Sequence, residues 1–327
     1  MHATVLFEEV VHWLRPKPDG LYIDGTLGYG GHTLGILAAS ALGGRVLAFD
    51  RDAEAIQAAQ VRLGGWSDVS EDEASSLLHT FGHQGDLLTR VTFAHTSFAE
   101  MRRVAPLESF SQVDGVVLDL GLSSMQLDSR SRGFAFRYEA PLDMRFDQRQ
   151  ALTAATLVNN ATENELLEIF ESYGEVRRAR RMVRVVMGNR PILTTKQLAD
   201  LIAGATPARE RRKRKTHPAT QVFQALRIAV NDELGALAQG LPAAIDLLKP
   251  GGRVAVISFH SLEDRYVKRL FRELATECIC PSQQPICTCD HQATVRLPHR
   301  KTIQPSKIEI ERNPRSRSAK LRVAEKI

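Results

Sequence analysis

Asp24-Gly25-Thr26-Leu27-Gly28-Tyr29-Gly30-Gly31-His32 follows the apolar run Leu21-Tyr22-Ile23, and Thr33 to Ala41 behind it reads as a helix. Glycines in such a turn permit positive φ and let backbone N–H groups approach a ligand that a β-carbon would keep away. A second apolar strand, Arg45-Val46-Leu47-Ala48-Phe49, ends in Asp50, about where an acid that holds ribose hydroxyls belongs. Glycine pairs alone serve close packing as often as they serve a ligand. The whole strand, glycine turn, helix, strand and acid together read as the pocket of an adenosine cofactor.

The dinucleotide pattern Gly-x-Gly-x-x-Gly is not completed, because Thr33 stands where the third glycine belongs. That argues against a small-molecule oxidoreductase using a nicotinamide cofactor. An acid at the strand end followed by Gly-x-Gly instead resembles motif I of class I methyltransferases, with Asp24, Gly28 and Gly30 at its positions. Those enzymes use S-adenosylmethionine and seat no pyrophosphate.

The chain has 327 residues, 43% hydrophobic and 25% charged, enough to bury one large core or two modest ones. No apolar run approaches the roughly 20 residues that a membrane span needs, and the start lacks a secretory pattern, so no membrane partner and a cytoplasmic location are expected. Lys and Arg number 43 against 38 Asp and Glu, a net charge of +5. That excess is mild, but the basic residues cluster: Arg177, Arg178, Arg180, Arg181 and Arg184; Arg209 to Lys215; and Arg312, Arg315, Arg317, Lys320 and Arg322. A charge run is usually a solvated face, yet three of them around an adenosine-cofactor fold favour RNA.

Up to about residue 120 strands and helices alternate, with Val91-Thr92-Phe93-Ala94 and Val113 to Asp119 as third and fourth strands, the pattern of a parallel α/β sheet. The acidic stretch from Gly65 to Leu88 interrupts it as a surface excursion without assigned chemistry. Between about 125 and 225 only helical periodicity appears, with capping boxes at Thr162/Glu165 and Thr194/Gln197. The sheet pattern then resumes: Phe223, Leu226, Val230, Leu234 and Leu237 share a helical face, Leu248 to Gly252 forms a turn, and Arg253 to Ser258 forms a fifth strand. Lys307-Ile308-Glu309-Ile310 and Ala319 to Ala324 alternate as two closing strands. The expected architecture is therefore a discontinuous Rossmann-like α/β domain, 1–124 and 226–327, with an inserted α-helical substrate-recognition domain over 125–225.

Four long motifs occur in order: Asp24 to His32, Val117 to Asp128, Pro141-Leu142-Asp143-Met144-Arg145, and Ser258-Phe259-His260-Ser261-Leu262-Glu263-Asp264-Arg265. With His217-Pro218-Ala219-Thr220, Phe223 to Arg227 and Asn313 to Ser318 they span essentially the whole chain and resemble the ribosomal RNA small subunit methyltransferase H family. The resemblance implies a class I fold, S-adenosylmethionine as donor, the small ribosomal subunit as partner, and N4-methylation of one cytosine in the decoding region of 16S rRNA. A noncatalytic RNA-binding assembly factor is the reading to set against it. The resemblance also implies cofactor contacts at Gly30, Gly31, His32, Asp50, Phe98, Asp119 and Gln126. Taken alone, His32 reads as a helix-start histidine and Phe98 as a core aromatic.

The exocyclic nitrogen of cytosine shares its lone pair with the ring, so an oxygen must draw on its N–H while the pocket aligns the partners in line. Asp119 and His260 are the candidate catalytic groups, because parallel sheets bind ligands at the carboxyl ends of their strands. Many amino-methylating enzymes carry an Asn/Asp/Ser-Pro-Pro-aromatic motif after the fourth strand, whereas here Asp119-Leu120-Gly121-Leu122 stands there. Asp143 and Arg145 read either as groups closing over the substrate or as an ion pair, and Phe134, Phe136 and Phe259 either as base-stacking or as packing aromatics. All four cysteines fall in Cys278-Ile279-Cys280 and Cys287-Thr288-Cys289, with His291 behind them. They read as one structural zinc site or as reduced thiols. Nothing in the sequence decides whether the chain dimerises.

Overall fold

A computed structural model describes residues 4–41, 43–64, 87–213, 216–280, 284, 286–289 and 291–327. Most of the acidic excursion, and Arg214 and Lys215 of the second basic run, lie outside the described residues. Contacts divide the chain into two compact units, Met1–Gly121 with Gly235–Ile327, and Leu122–Leu234.

The first unit is built on seven strands: β1 (Leu21–Asp24), β2 (Arg45–Asp50), β3 (Val91–His95), β4 (Val113–Asp119), β5 (Leu248–Ser258), β6 (Val295–Arg296) and β7 (Lys320–Lys326). Their order is β3-β2-β1-β4-β5-β7-β6. β1 to β5 run parallel, and β7 inserts antiparallel beside β5, pairing Val254 with Ala324 and Val256 with Arg322. This is the class I methyltransferase, Rossmann-like sheet that the sequence implies. Helices cover both faces, so the central strands are apolar on both sides rather than alternating with polar residues. Tyr22, Val46, Ala48, Val117, Ala255 and Ile257 point to one core, shared with Val10, Leu34 and Leu37. Ile23, Leu47, Phe49, Val116, Leu118, Val254 and Val256 point to the other, shared with Leu241, Ala244 and Phe271.

Three local readings differ. Lys307–Arg312 is a helix, not a strand: Ser306 Oγ accepts the Glu309 N–H at 3.1 Å, and the Glu309 carboxylate accepts the Leu6 N–H at 2.9 Å. A serine cap satisfies that backbone locally, whereas four alternating residues have no strand to pair with. The expected turn at Leu248 to Gly252 is a bulge inside β5, where Gly251 takes φ 78° and the register with β4 jumps between Val113 and Gly115. The single helical face from Phe223 to Leu237 belongs to two helices, Ala219–Asn231 and Glu233–Leu247, separated by Asp232 at φ 46°.

The second unit is helical. Both predicted capping boxes are present, on the helices Glu163–Ser172 and Thr195–Ala205. Leu166, Phe170, Val183, Val186, Leu198, Ile202, Val222 and Leu226 make its core. The helix Ala219–Asn231 contributes to that core, so the unit extends past residue 225 to Leu234. Asn231, fully buried, donates to the carbonyls of Met144 (2.7 Å) and Arg227 (2.9 Å) and accepts the Phe146 N–H at 2.7 Å. It thereby fixes the Pro141 to Phe146 segment, in which Met144 holds φ 63°. No helix among the described residues is long and apolar enough to cross a membrane.

Asn231→Ala removes three bonds to buried and part-buried backbone groups and is expected to destabilise the helical unit by about 2 kcal/mol, read by urea denaturation. In the sheet, Arg253 spans the Glu325 carboxylate (2.8 Å) and the Trp13 carbonyl (2.7 Å), and Arg296 also reaches Glu325. Burial alone would raise the Glu325 pKa, but the bonds from Arg296 and Arg253 outweigh it and hold the carboxyl below its ordinary range. Glu325→Ala leaves Arg253 buried without its carboxylate and is expected to cost about 3 kcal/mol. Because the folded pKa is the lower one, this stability is complete above the unfolded value of about 4.3 and is lost as pH falls through the folded value. Acid titration of wild type against Glu325→Gln should show a shallower low-pH loss in the variant.

Candidate active site

The carboxyl ends of β1, β2 and β4 meet where strand order reverses, the place where open α/β sheets bind ligands. Two backbone bonds tie the turn after β1 to its neighbours, Gly25 N–H donating to Val117 O and Leu27 N–H to Phe49 O, each at 2.9 Å, and within the turn Gly30 N–H closes onto Leu27 O at 2.7 Å. Gly28 at φ 51° and Gly30 at φ 74° turn the chain into the helix Gly31–Ala39. Asp24 is 1% exposed. Its carboxylate accepts the Thr26 N–H at 3.1 Å and the Thr33 hydroxyl at 2.7 Å. Burial pushes the Asp24 pKa up, opposed by the nearby His32, Thr33 and Thr26. Thr33, at the third-glycine position of dinucleotide folds, is therefore a buried partner of Asp24.

Asp50 accepts the Gly28 N–H and the Asp52 N–H, both at 2.8 Å, one on each carboxylate oxygen. Each oxygen keeps a lone pair for a further donor. Burial raises the Asp50 pKa to about 6, against the lowering effect of those two N–H bonds.

His32 and Asp119 face each other, with Nε2 3.5 Å from Oδ2. Thr26 Oγ1 accepts the Asp119 N–H at 2.6 Å and holds that end of β4 against the turn. Both His32 ring nitrogens and Asp119 Oδ1 are buried without a hydrogen-bond partner. Buried polar atoms of this kind are rare in folded proteins unless a ligand or water satisfies them. They fit the polar edge of a cofactor or of an acceptor base. The His32–Asp119 pairing and the part played by Thr26 have no signature in the sequence, because they join the first turn to a strand end far along the chain.

The remaining predicted residues have structural surroundings of their own. Phe98 packs its ring on Gly240, where an added Cβ would lie 2.3 Å from the ring. His260 is the N-cap of the helix Ser261–Leu274: Nδ1 accepts the Glu263 N–H at 3.4 Å, and the Glu263 carboxylate accepts the His260 and Phe259 N–H groups. Gln126 belongs to the helical unit, where its Oε1 accepts the Ser123 N–H in a capping box. Arg145 grips Asp143 with two bonds, at 2.8 and 2.7 Å, and donates to the carbonyls of Gln148 and Gln150, a structural clip. Phe136 packs on His217 and Phe223, and Phe134 on Phe146.

Of the basic clusters, Arg177, Arg178, Arg180, Arg181 and Arg184 are exposed beside the helix face Ala179, Met182, Val183 and Val186, although Arg178 pairs with Glu210 at 2.9 Å. Arg209, Arg211, Arg212 and Lys213 are exposed as well. Lys320 and Arg322 instead pair with Asp264, at 3.0 and 2.7 Å, which commits their charge internally.

The sequence profile of the MraW methylase family matches residues 1–327. A protein of Heliobacterium mobile named ribosomal RNA small subunit methyltransferase H is 45% identical, covering 100% of this chain and 99% of its own length. Proteins of the same name from Geobacter sp. (strain M21) and Thermomicrobium roseum are 48% and 46% identical, each aligned over all of this chain, with 98% and 94% of their lengths covered.

In the proposed role of Asp50 as ribose ligand, the hydroxyls would donate best to its ionised carboxylate. Affinity for S-adenosylmethionine should therefore be roughly constant above pH 7 and fall as pH drops through about 6, measured by calorimetric titration. Asp50→Asn should bind about tenfold or more weakly at neutral pH, a loss of about 1.4 kcal/mol or more, and lose that pH dependence.

Proposed function

The chain belongs to the MraW methylase family, which comprises the ribosomal RNA small subunit methyltransferase H proteins, and from that premise we propose that it methylates N4 of one cytosine in the decoding region of 16S rRNA. The observation that carries this reading is the facing pair of His32 and Asp119, with unpartnered buried atoms, beside Asp50 at the reversal point of the sheet.

S-adenosylmethionine, bound in the turn, supplies a methyl group on a sulfonium. Asp50 would hold the ribose hydroxyls, the turn at Gly30 and Gly31 would bring backbone against the ligand, and His32 would satisfy a polar edge. Phe98 and Gln126 remain proposed contacts through the family resemblance. Asp119 is the proposed proton acceptor. Its Oδ1 would accept a hydrogen bond from the cytosine amino group, turn the nitrogen lone pair toward the methyl, and take the proton that the nitrogen releases as it gains the methyl group. Alignment of nitrogen and methyl in line contributes more than the base alone, since well-oriented groups gain up to about 7–11 kcal/mol over free encounter. His260 remains the second proposed catalytic group, its Nδ1 capping the helix after β5.

The exposed arginines at 177–184 and 209–212 carry charge suited to the phosphate backbone of the RNA, and phosphate contacts position the RNA without specifying its sequence. Base selection falls to the pocket and the shape of the ribosomal subunit. We place the reaction in the cytoplasm, where small subunits are assembled.

Methyl transfer from labelled donor to small subunits lacking this modification, followed by nucleoside analysis, tests the reading. N4-methylcytidine is expected as the product. Asp119→Ala should lower kcat by about 10²-fold or more and, because Asp119 is also a proposed cofactor contact, weaken donor binding as well. Labelling of a different atom, or full activity in Asp119→Ala, would exclude Asp119 as the proton acceptor for N4.

A further inference from the structure

The four cysteines sit in the connection between the helix Ser261–Leu274 and β6, and they converge. Cys278 Sγ lies 3.5 Å from Cys287 Sγ and 3.7 Å from Cys289 Sγ, and Cys287 and Cys289 are 3.5 Å apart. All four sulfurs, that of Cys280 included, fall within 4.8 Å of one another. A zinc ion bound by four thiolates at about 2.3 Å in a tetrahedron sets the sulfurs about 3.8 Å apart. A disulfide would need about 2.05 Å. We infer that Cys278, Cys280, Cys287 and Cys289 form a structural tetrathiolate zinc site.

The surroundings of the sulfurs support the inference independently of their spacing. Among the described residues the turns bearing the cysteines bury no apolar side chain of their own: Ile279 and Ile286 are 55% and 73% exposed. Thiols are weak hydrogen-bond partners, so neither burial nor thiol contacts explain why two exposed turns close on each other. A metal does, as it does in small modules too slight to bury a core. The backbone also prepares the sulfurs for charge. Cys280 N–H donates to Cys278 Sγ at 3.4 Å and Thr288 N–H to Cys280 Sγ at 3.5 Å, bonds that offset the negative charge of metal-bound thiolates. His291 stays outside the sulfur set, its Nε2 lying 3.1 Å from the Glu273 carbonyl oxygen.

With four protein ligands the site has no open position for a substrate, which makes its role architectural. Thr294 N–H donates to Leu274 O at 2.9 Å and Ile327 N–H to Thr294 O at 3.0 Å, so the connection enters the sheet edge at a fixed point. The ion would close the connection just before that point. This inference does not depend on the methyl-transfer reading.

Elemental analysis of the full-length protein, purified under reducing conditions from zinc-supplemented cells, is expected to find one zinc per chain. The double variant Cys287→Ser with Cys289→Ser is expected to lose it. Titrating the wild type with a mercurial reagent in the presence of a zinc-sensitive dye keeps the inference testable should that variant fail to accumulate, and should release the zinc in step with modification of the four thiols. Wild-type protein with four free thiols and no zinc, iron in place of zinc, disulfides at these positions, or zinc that survives either treatment would each overturn the assignment.

Discussion

The turn from Asp24 to Gly31 is bound to both strands that flank β1, and the site depends on that stitching. Leu27 reaches β2 through Phe49, Gly25 reaches β4 through Val117, and the Thr26 hydroxyl takes the N–H of Asp119. Asp24, buried at the centre, holds Thr26 and Thr33 to one carboxylate. A glycine-rich segment loses much conformational freedom on ordering, so these bonds must outweigh that entropy for the backbone to be ready for a ligand. Such preorganisation is what lets a binding site use its contacts for recognition rather than for ordering itself.

The same stitching sets the electrostatics. His32 begins the helix after the turn, close enough to Asp24 to oppose the rise in its pKa and 3.5 Å from Asp119. One imidazole therefore stands near two carboxylates, with its ring nitrogens unsatisfied by the protein. Unpaired polar atoms in a buried setting cost stability, and active sites are where proteins tolerate that cost. Asp50 stands slightly apart, already holding two N–H groups with a lone pair left on each oxygen. These three acids differ in surroundings rather than in chemistry, which separates the holding of the turn at Asp24 from the proposed tasks of meeting a ribose at Asp50 and accepting a proton at Asp119.

Much was legible in the primary structure where chemistry is local. The glycine turn, the acid at the end of β2, the apolar parallel strands and the capping boxes at Thr162 and Thr194 all use residues within a few positions of one another, and each appears where its pattern predicts. Local pattern misleads where a neighbouring cap or break competes. Lys307 to Ile310 alternates like a strand, yet Ser306 makes it a helix, and the shared face of Phe223 and Leu237 conceals the break at Asp232.

By itself the sequence determined the class of fold, the family and the candidate residues, because periodicity, glycine placement and motif order are properties of contiguous residues. Tertiary structure alone decided which candidates meet. It set His32 against Asp119 and Thr26 under the Asp119 N–H. It paired Lys320 and Arg322 with Asp264. It also drew the four sulfurs within bonding range of a single ion. Those pairings join residues separated by long stretches of chain or by intervening turns, and only the paths of strand and turn through space determine their distances.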